Sequence, residues 1–140
     1  MSELIRLSLS LEEPLYNKLD QIVNRSGYKN RSEFIRDMIR ERLVSDEWES
    51  GKDVVGTITL IYDHGKRNLN MKLNKLQHST HHIVLASTHV HLTEDLCAEM
   101  IMLKGKADEV KHMADNLGQQ MGVLHSGLIM GTTGDILSKE

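Results

Sequence analysis

The chain has 140 residues, 39% of them apolar, and a formal net charge of −3. That length allows one compact domain or two small ones, and with only Phe34, Trp48 and three tyrosines as aromatics any core must be aliphatic, with methionine filling gaps. The charge balance argues against indiscriminate coating of nucleic acid, no apolar run is long enough to span a membrane, no secretion signal opens the chain, and the single Cys97 excludes an internal disulfide and suits a reducing cytoplasm.

Residues 5–11, IRLSLSL, come first. Ile5, Leu7, Leu9 and Leu11 alternate with Arg6, Ser8 and Ser10, the period of a strand with one dry and one wet face. Pro14 then suits the first turn of a helix, and Leu15, Leu19, Ile22 and Val23 recur at helical spacing. Gly27 marks its end, where a left-handed cap favours glycine. Asn30 and Glu33 resemble a capping box, followed by the stripe Phe34, Ile35, Met38, Ile39 and Leu43. Residues 4–46 therefore read strand, helix, helix.

This unit cannot stand alone. Its strand has two unpaired edges, and about 45 residues rarely bury enough surface without help. A second copy repairs both faults: two strands pair antiparallel about a two-fold axis, and four helices close over their apolar face. Arg6, Ser8 and Ser10 then project from a two-stranded ribbon, a shape that fits the major groove of B-DNA with side chains suited to base edges. An edge strand with a solvated polar face fits the same pattern.

Residues 45–53, SDEWESGKD, are charged and read as a linker. Beyond them the spacing predicts a strand over 54–62, a helix marked by Leu69, Leu73 and Leu76, strands over 82–92 and 98–103, a helix marked by Val110, Met113, Ala114 and Leu117, and a last strand over 123–130. The order βαββαβ is that of a ferredoxin-like sandwich. Met100, Met102 and Met113 are expected in its core.

Five histidines lie close together: His78, His81, His82, His89 and His91. On a strand, His89 and His91 share one face with Cα atoms ~6.5 Å apart, a span two imidazoles can close around one ion. Cys97 follows a short turn later and can swing back to it. These donors suit Ni(II), Cu or Zn. His78 is the best fourth candidate, but it lies up to ~33 Å from His89 along an extended chain, so a neighbouring subunit supplies it more easily. Surface histidines beside a buried structural cysteine are the plain alternative. A metalloenzyme with Glu99 as base, or a metal store, would use the same ligands.

Taken together, RLSLS (6–10), GYKNRSEFIRD (27–37), YDHGKR (62–67), LQHSTHH (76–82), THVH (88–91), Cys97 and LKG (103–105) resemble the nickel-responsive transcriptional regulator family, NikR, over nearly the whole chain. The resemblance implies an α+β protein: an N-terminal ribbon-helix-helix unit (βαα, dimerising, residues 1–48) joined to a C-terminal ferredoxin-like, ACT-type βαββαβ domain (residues 54–134). It implies one Ni(II) per subunit, held by His89, His91 and Cys97 with His78 donated across a homotetramer interface. Double-stranded operator DNA is the implied partner, read by Arg6, Ser8 and Ser10 and gripped at its phosphates by Asn30, Arg31 and Ser32, with Lys66 and Arg67 close to the backbone. Glu33 and Asp37 match a second cation site, although a capping acid and an exposed carboxylate fit them equally. Tyr62, His64 and Glu99 match positions around the nickel. His81 and His82 replace a longer histidine run and read as solvated.

Overall fold

The computed structural model describes residues 3–138. The chain divides into two compact units, the first ending at Leu43 and the second spanning Val44–Ile136.

In the first unit, α1 (Glu13–Arg25) opens with Pro14 in its first turn and is followed by Gly27 at φ +72°. Glycine carries no Cβ penalty there. The side chain of Asn30 accepts the Glu33 amide at 2.9 Å, capping α2 (Arg31–Glu49). Val23 is the only residue of the two helices up to Leu43 that is fully buried. Ile5 is 90% and Leu7 76% exposed, and residues 3–11 form no hydrogen-bonded ladder within one chain. A ladder needs a second strand, and the apolar stripes of this unit stay half open without a second copy.

The stretch expected to be a linker is helical through Glu49, and only Ser50–Lys52 form a turn. The reason is one residue. Trp48 is 3% exposed, belongs to the core of the second unit, and donates its indole N–H to the Gly131 carbonyl at 2.8 Å. Four polar neighbours hide that anchor from a composition scan. Beside it the buried Glu47 carboxylate accepts the Thr132 hydroxyl at 2.7 Å. The compact division falls before Val44.

The second unit runs β1 (Asp53–Asp63), α3 (Leu69–Ser79), β2 (Val84–His91), β3 (Leu96–Lys106), α4 (Ala107–Gly118) and β4 (Val123–Met130). The strands form one antiparallel sheet in the order β2-β3-β1-β4. Alternation along β1 is strict. Val54, Ile58, Leu60 and Tyr62 are buried and pack with Leu69 and Leu73 of α3 and Val110 and Leu117 of α4. Gly56 lies on the same face, where a Cβ would come within 2.9 Å of Val110, so the helix approaches the strand closely there.

Among the described residues no helix covers the opposite face of the sheet. Met100 and Met102, expected in the core, are 45% and 44% exposed on it, while Met113 is buried as expected. The pleat decides this: Cys97, Glu99, Ile101 and Leu103 of β3 take the helix-covered side, which sends the even-numbered residues to the other. Among the described residues no helix is long and apolar enough to cross a membrane.

Candidate metal centre

The site is built by the β2–β3 hairpin. Its connection is closed by the Leu92 amide donating to the Leu96 carbonyl at 2.8 Å, with the Thr93 hydroxyl accepting the Asp95 and Leu96 amides. The resulting register sets His91 opposite Cys97 and His89 opposite Glu99. Directly opposed residues share a face, so both imidazoles meet the thiol and the carboxylate on the helix-covered side. Tyr62 of β1 lies opposite Cys97 from the other flank.

Distances follow from that register. Cys97 Sγ is 3.3 Å from His91 Nδ1. The His89 and His91 rings are 5.1 Å apart, and the Tyr62 hydroxyl lies 2.9 Å from His89 Nδ1. A third imidazole comes from the turn after β1: ligand atoms of His64, His91 and Cys97 all lie within 4.8 Å of one another. His64 is held there by its amide, which donates to the Asp95 carbonyl at 2.7 Å, and Gly65 donates to the Asp63 carboxylate at 2.8 Å to tighten the turn. The sequence marked His64 only as near the site. Its distance along the chain from Cys97 carries no periodic signal.

Burial and one carboxylate set the electrostatics of the site. Burial pushes the Cys97 thiol above its ordinary value, and the Glu99 carboxylate pushes the same way. Tyr62 is pushed up to about 12, first by burial and then by the Glu99 charge. Glu99, only 6% exposed, accepts a 2.8 Å hydrogen bond from the Gln77 side chain of α3. A polar cavity of about 380 Å³ opens here, lined by Tyr62, Asn70, Asn74, Ser87, His89 and Glu99. A thiol with neighbouring imidazoles is a soft-to-borderline donor set that fits nickel, copper or zinc and not a hard cation.

Within one chain His78 does not join this group. It stands on the last turn of α3 and lines an adjoining surface depression with Gln77, His81 and Val84, sharing Asn74 and Ser87 with the polar cavity that His89 lines. The exposed His82 lies 3.5 Å from Glu109. His112 and His125 are exposed.

The candidate DNA-contacting residues fall in two places. In the first unit Arg6, Ser8 and Ser10 are exposed, and Asn30, Arg31 and Ser32 form the start of α2. Asp37, expected with Glu33 at a second cation site, spends one oxygen on the Tyr28 hydroxyl at 3.0 Å and the other on Arg40 at 2.8 Å. In the second unit Lys66 and Arg67 are exposed on the turn between β1 and α3, and the Lys66 stem lies against Gly122.

Residues 55–130 match the family model described as the NikR C-terminal nickel-binding domain. The chain belongs to the NikR family of nickel-responsive regulators. Residues 2–45 match a second model, the ribbon-helix-helix proteins of the copG family. Relatives named as nickel-responsive regulators include one from Geotalea uraniireducens, 45% identical over 98% of this chain and 99% of its own, and one from Geobacter sulfurreducens, 46% identical over the same shares. Another, from Pyrococcus horikoshii, is 44% identical over 94% of this chain and 96% of its own. Among solved structures, an uncharacterized protein from Thermotoga maritima superposes with a TM-score of 0.51 at 18% identity, covering 56% of this chain and 98% of that one. The ACT domain of a GTP pyrophosphokinase from Chlorobium tepidum gives 0.50 at 13% identity, covering 56% and 100%. The second likeness shows an ACT-like fold. This NikR-family chain is thus a regulator and not an enzyme, with a DNA-binding ribbon-helix-helix unit that dimerises and a nickel-binding ACT-like domain.

Proposed function

We propose that the protein is a nickel-activated repressor of nickel-uptake genes. It acts in the cytoplasm as a homotetramer, two ribbon-helix-helix dimers flanking a core of four ACT-like domains. The observation that carries this reading is the pairing, in one chain, of a ribbon-helix-helix unit with a nickel-binding domain whose imidazoles and thiol converge.

His89, His91 and Cys97 of one chain, with His78 from a neighbouring copy, would hold one nickel ion per subunit, and the ion supplies a bond between chains. As a ligand Cys97 would be a thiolate, so its proton would be released on binding. His78 stands on the last turn of α3, so its engagement would hold the helix as a whole, and with it the turn at the opposite, N-terminal end that carries Lys66 and Arg67. Those two cations then meet the DNA backbone. In each dimer Arg6, Ser8 and Ser10 read a half-site of a palindrome, and Asn30, Arg31 and Ser32 receive phosphates at the start of α2, where free amides and the helix dipole favour an anion. A coupling of ~1–3 kcal/mol already changes DNA affinity roughly 5–150-fold, and linkage requires operator DNA to tighten nickel binding by the same factor.

A gel-shift titration with nickel, copper, zinc and cobalt on a palindromic duplex from upstream of a nickel-uptake operon tests this. Nickel should tighten binding most. Cys97→Ser should abolish the response while keeping the parent's circular dichroism. Equal binding with and without metal would overturn the reading.

A further inference from the structure

The Arg31 side chain, placed where α2 meets the DNA backbone in the proposed function, is already taken. Its Nη2 donates to Asp20 Oδ1 at 2.7 Å and to the Tyr16 hydroxyl, both on α1. The guanidinium carbon also sits 4.9 Å from the centre of the Tyr16 ring. Asp20 and Tyr16 are one helical turn apart, so they present a carboxylate, a hydroxyl and an aromatic face to one cation. The Asp20 pairing, first among its causes, pushes the guanidinium further toward its charged form.

We propose that Asp20 and Tyr16 form an anion-mimicking clamp that holds down the intrinsic affinity of the protein for DNA. Resting on the DNA-binding reading above, the proposal adds a residue that opposes it. A carboxylate accepts from guanidinium much as a phosphate does. With Asp20 beside it, Arg31 presents a neutralised pair to an incoming backbone rather than a free cation. The ion pair is half exposed, with side chains 49% and 42% accessible, so its own strength is modest and a phosphate can displace or share it. That suits a brake on intrinsic affinity: it lowers binding whatever the metal state without abolishing it. An ordinary interhelical tie would leave DNA affinity unchanged or, by loosening α2, lower it.

The test is a salt series of nickel-loaded protein on a mixed-sequence DNA duplex, using the parent, Asp20→Asn, Tyr16→Phe, Arg31→Ala and the double variant D20N/R31A. Asp20→Asn should tighten binding several-fold and steepen the dependence of log K on log salt by up to about 0.9, the contribution of one phosphate contact. Tyr16→Phe keeps the ring and the charges, so it should give a smaller gain with the parent's slope. The double variant should bind like Arg31→Ala. A parent that binds the duplex, with Asp20→Asn and Tyr16→Phe binding equally or more weakly at parent-like thermal stability, removes the clamp and leaves the DNA-binding reading intact. If Asp20→Asn is not stably folded, the Tyr16→Phe result decides alone. A parent that fails to bind any duplex in nickel removes both.

Discussion

The Tyr62 hydroxyl and His89 Nδ1 are 2.9 Å apart although their strands are not neighbours: β3 runs between β1 and β2. The phenol reaches across Cys97 and Glu99 to fix an imidazole on the edge strand. A metal-bound histidine works best when its second nitrogen is tied down, since that sets both tautomer and ring orientation. In the tautomer that carries its proton on Nδ1, His89 would donate to the phenol oxygen and leave Nε2 for an ion. Tyr62→Phe keeps the buried ring and removes only this tie. Its nickel affinity should fall about 10–100-fold, measured by calorimetry against a competing chelator. An unchanged affinity would mean that the hydroxyl plays no part in placing His89.

The same phenol makes the metal-free protein sensitive to alkali. Tyr62 stands at about 12 in the folded chain against 10.0 when unfolded. The folded state therefore keeps a proton that the unfolded state loses between those values. The stabilisation is whole below pH 10.0 and disappears as pH rises through about 12, at most about 2–3 kcal/mol. Cys97, also raised, acts with the same sign from above its ordinary value of 9.0. Urea unfolding of the apo protein should lose stability steeply between about pH 9 and pH 12, and less steeply in Tyr62→Phe. Equal losses in the two proteins would assign the effect elsewhere.

Nickel loading should depend on pH in the opposite direction. With its thiol raised by burial and by Glu99, Cys97 is protonated at neutral pH, and the ion must displace that proton. Apparent affinity should climb about tenfold per pH unit through the neutral range, with at least one proton released per ion. Calorimetry in buffers of different ionisation enthalpy counts the protons. A pH-independent affinity would exclude the thiolate as a ligand.

Much of this was legible in the residues, and what was hidden was hidden for physical reasons. His89 and His91 announce themselves because a strand places i and i+2 on one face, and Cys97 because a short hairpin returns it opposite His91. The βαββαβ order follows from clear changes of period, and all six elements lie where the spacing put them. Three features did not show. Trp48 is a single apolar anchor inside a polar stretch, so its burial depends on Gly131, far along the chain. Met100 and Met102 are apolar residues on an uncovered sheet face, and composition cannot tell a covered face from an open one. His64 joins His91 and Cys97 through a turn pinned to Asp95, a tertiary contact without sequence periodicity.

Trp48 therefore offers a test of how α2 is anchored. Its ring is 3% exposed in the core that holds Val54, Ile58 and Val110, and its indole N–H satisfies the Gly131 carbonyl. Trp48→Ala leaves a cavity and an unpaired carbonyl, and should cost about 3–5 kcal/mol in urea unfolding. Trp48→Phe fills most of the space and loses mainly the hydrogen bond, for about 1 kcal/mol. Similar small losses in both would place the ring outside the load of the core.

The N-terminal ribbon makes the last prediction, because its two faces should fail in different ways. Ile5 and Leu7 are 90% and 76% exposed in one chain, and pairing with a second copy would bury them. Burying each contributes roughly 1.5–3 kcal/mol, counted twice in a symmetric dimer. Leu7→Glu puts two like charges into that shared layer, so it should separate the ribbon dimers and abolish DNA binding together. Arg6→Ala alters only the outward face, so it should leave sedimentation unchanged while weakening DNA binding and lowering the salt slope or the sequence preference. Assembly surviving in Leu7→Glu, or lost in Arg6→Ala, would reverse the assignment of the two faces.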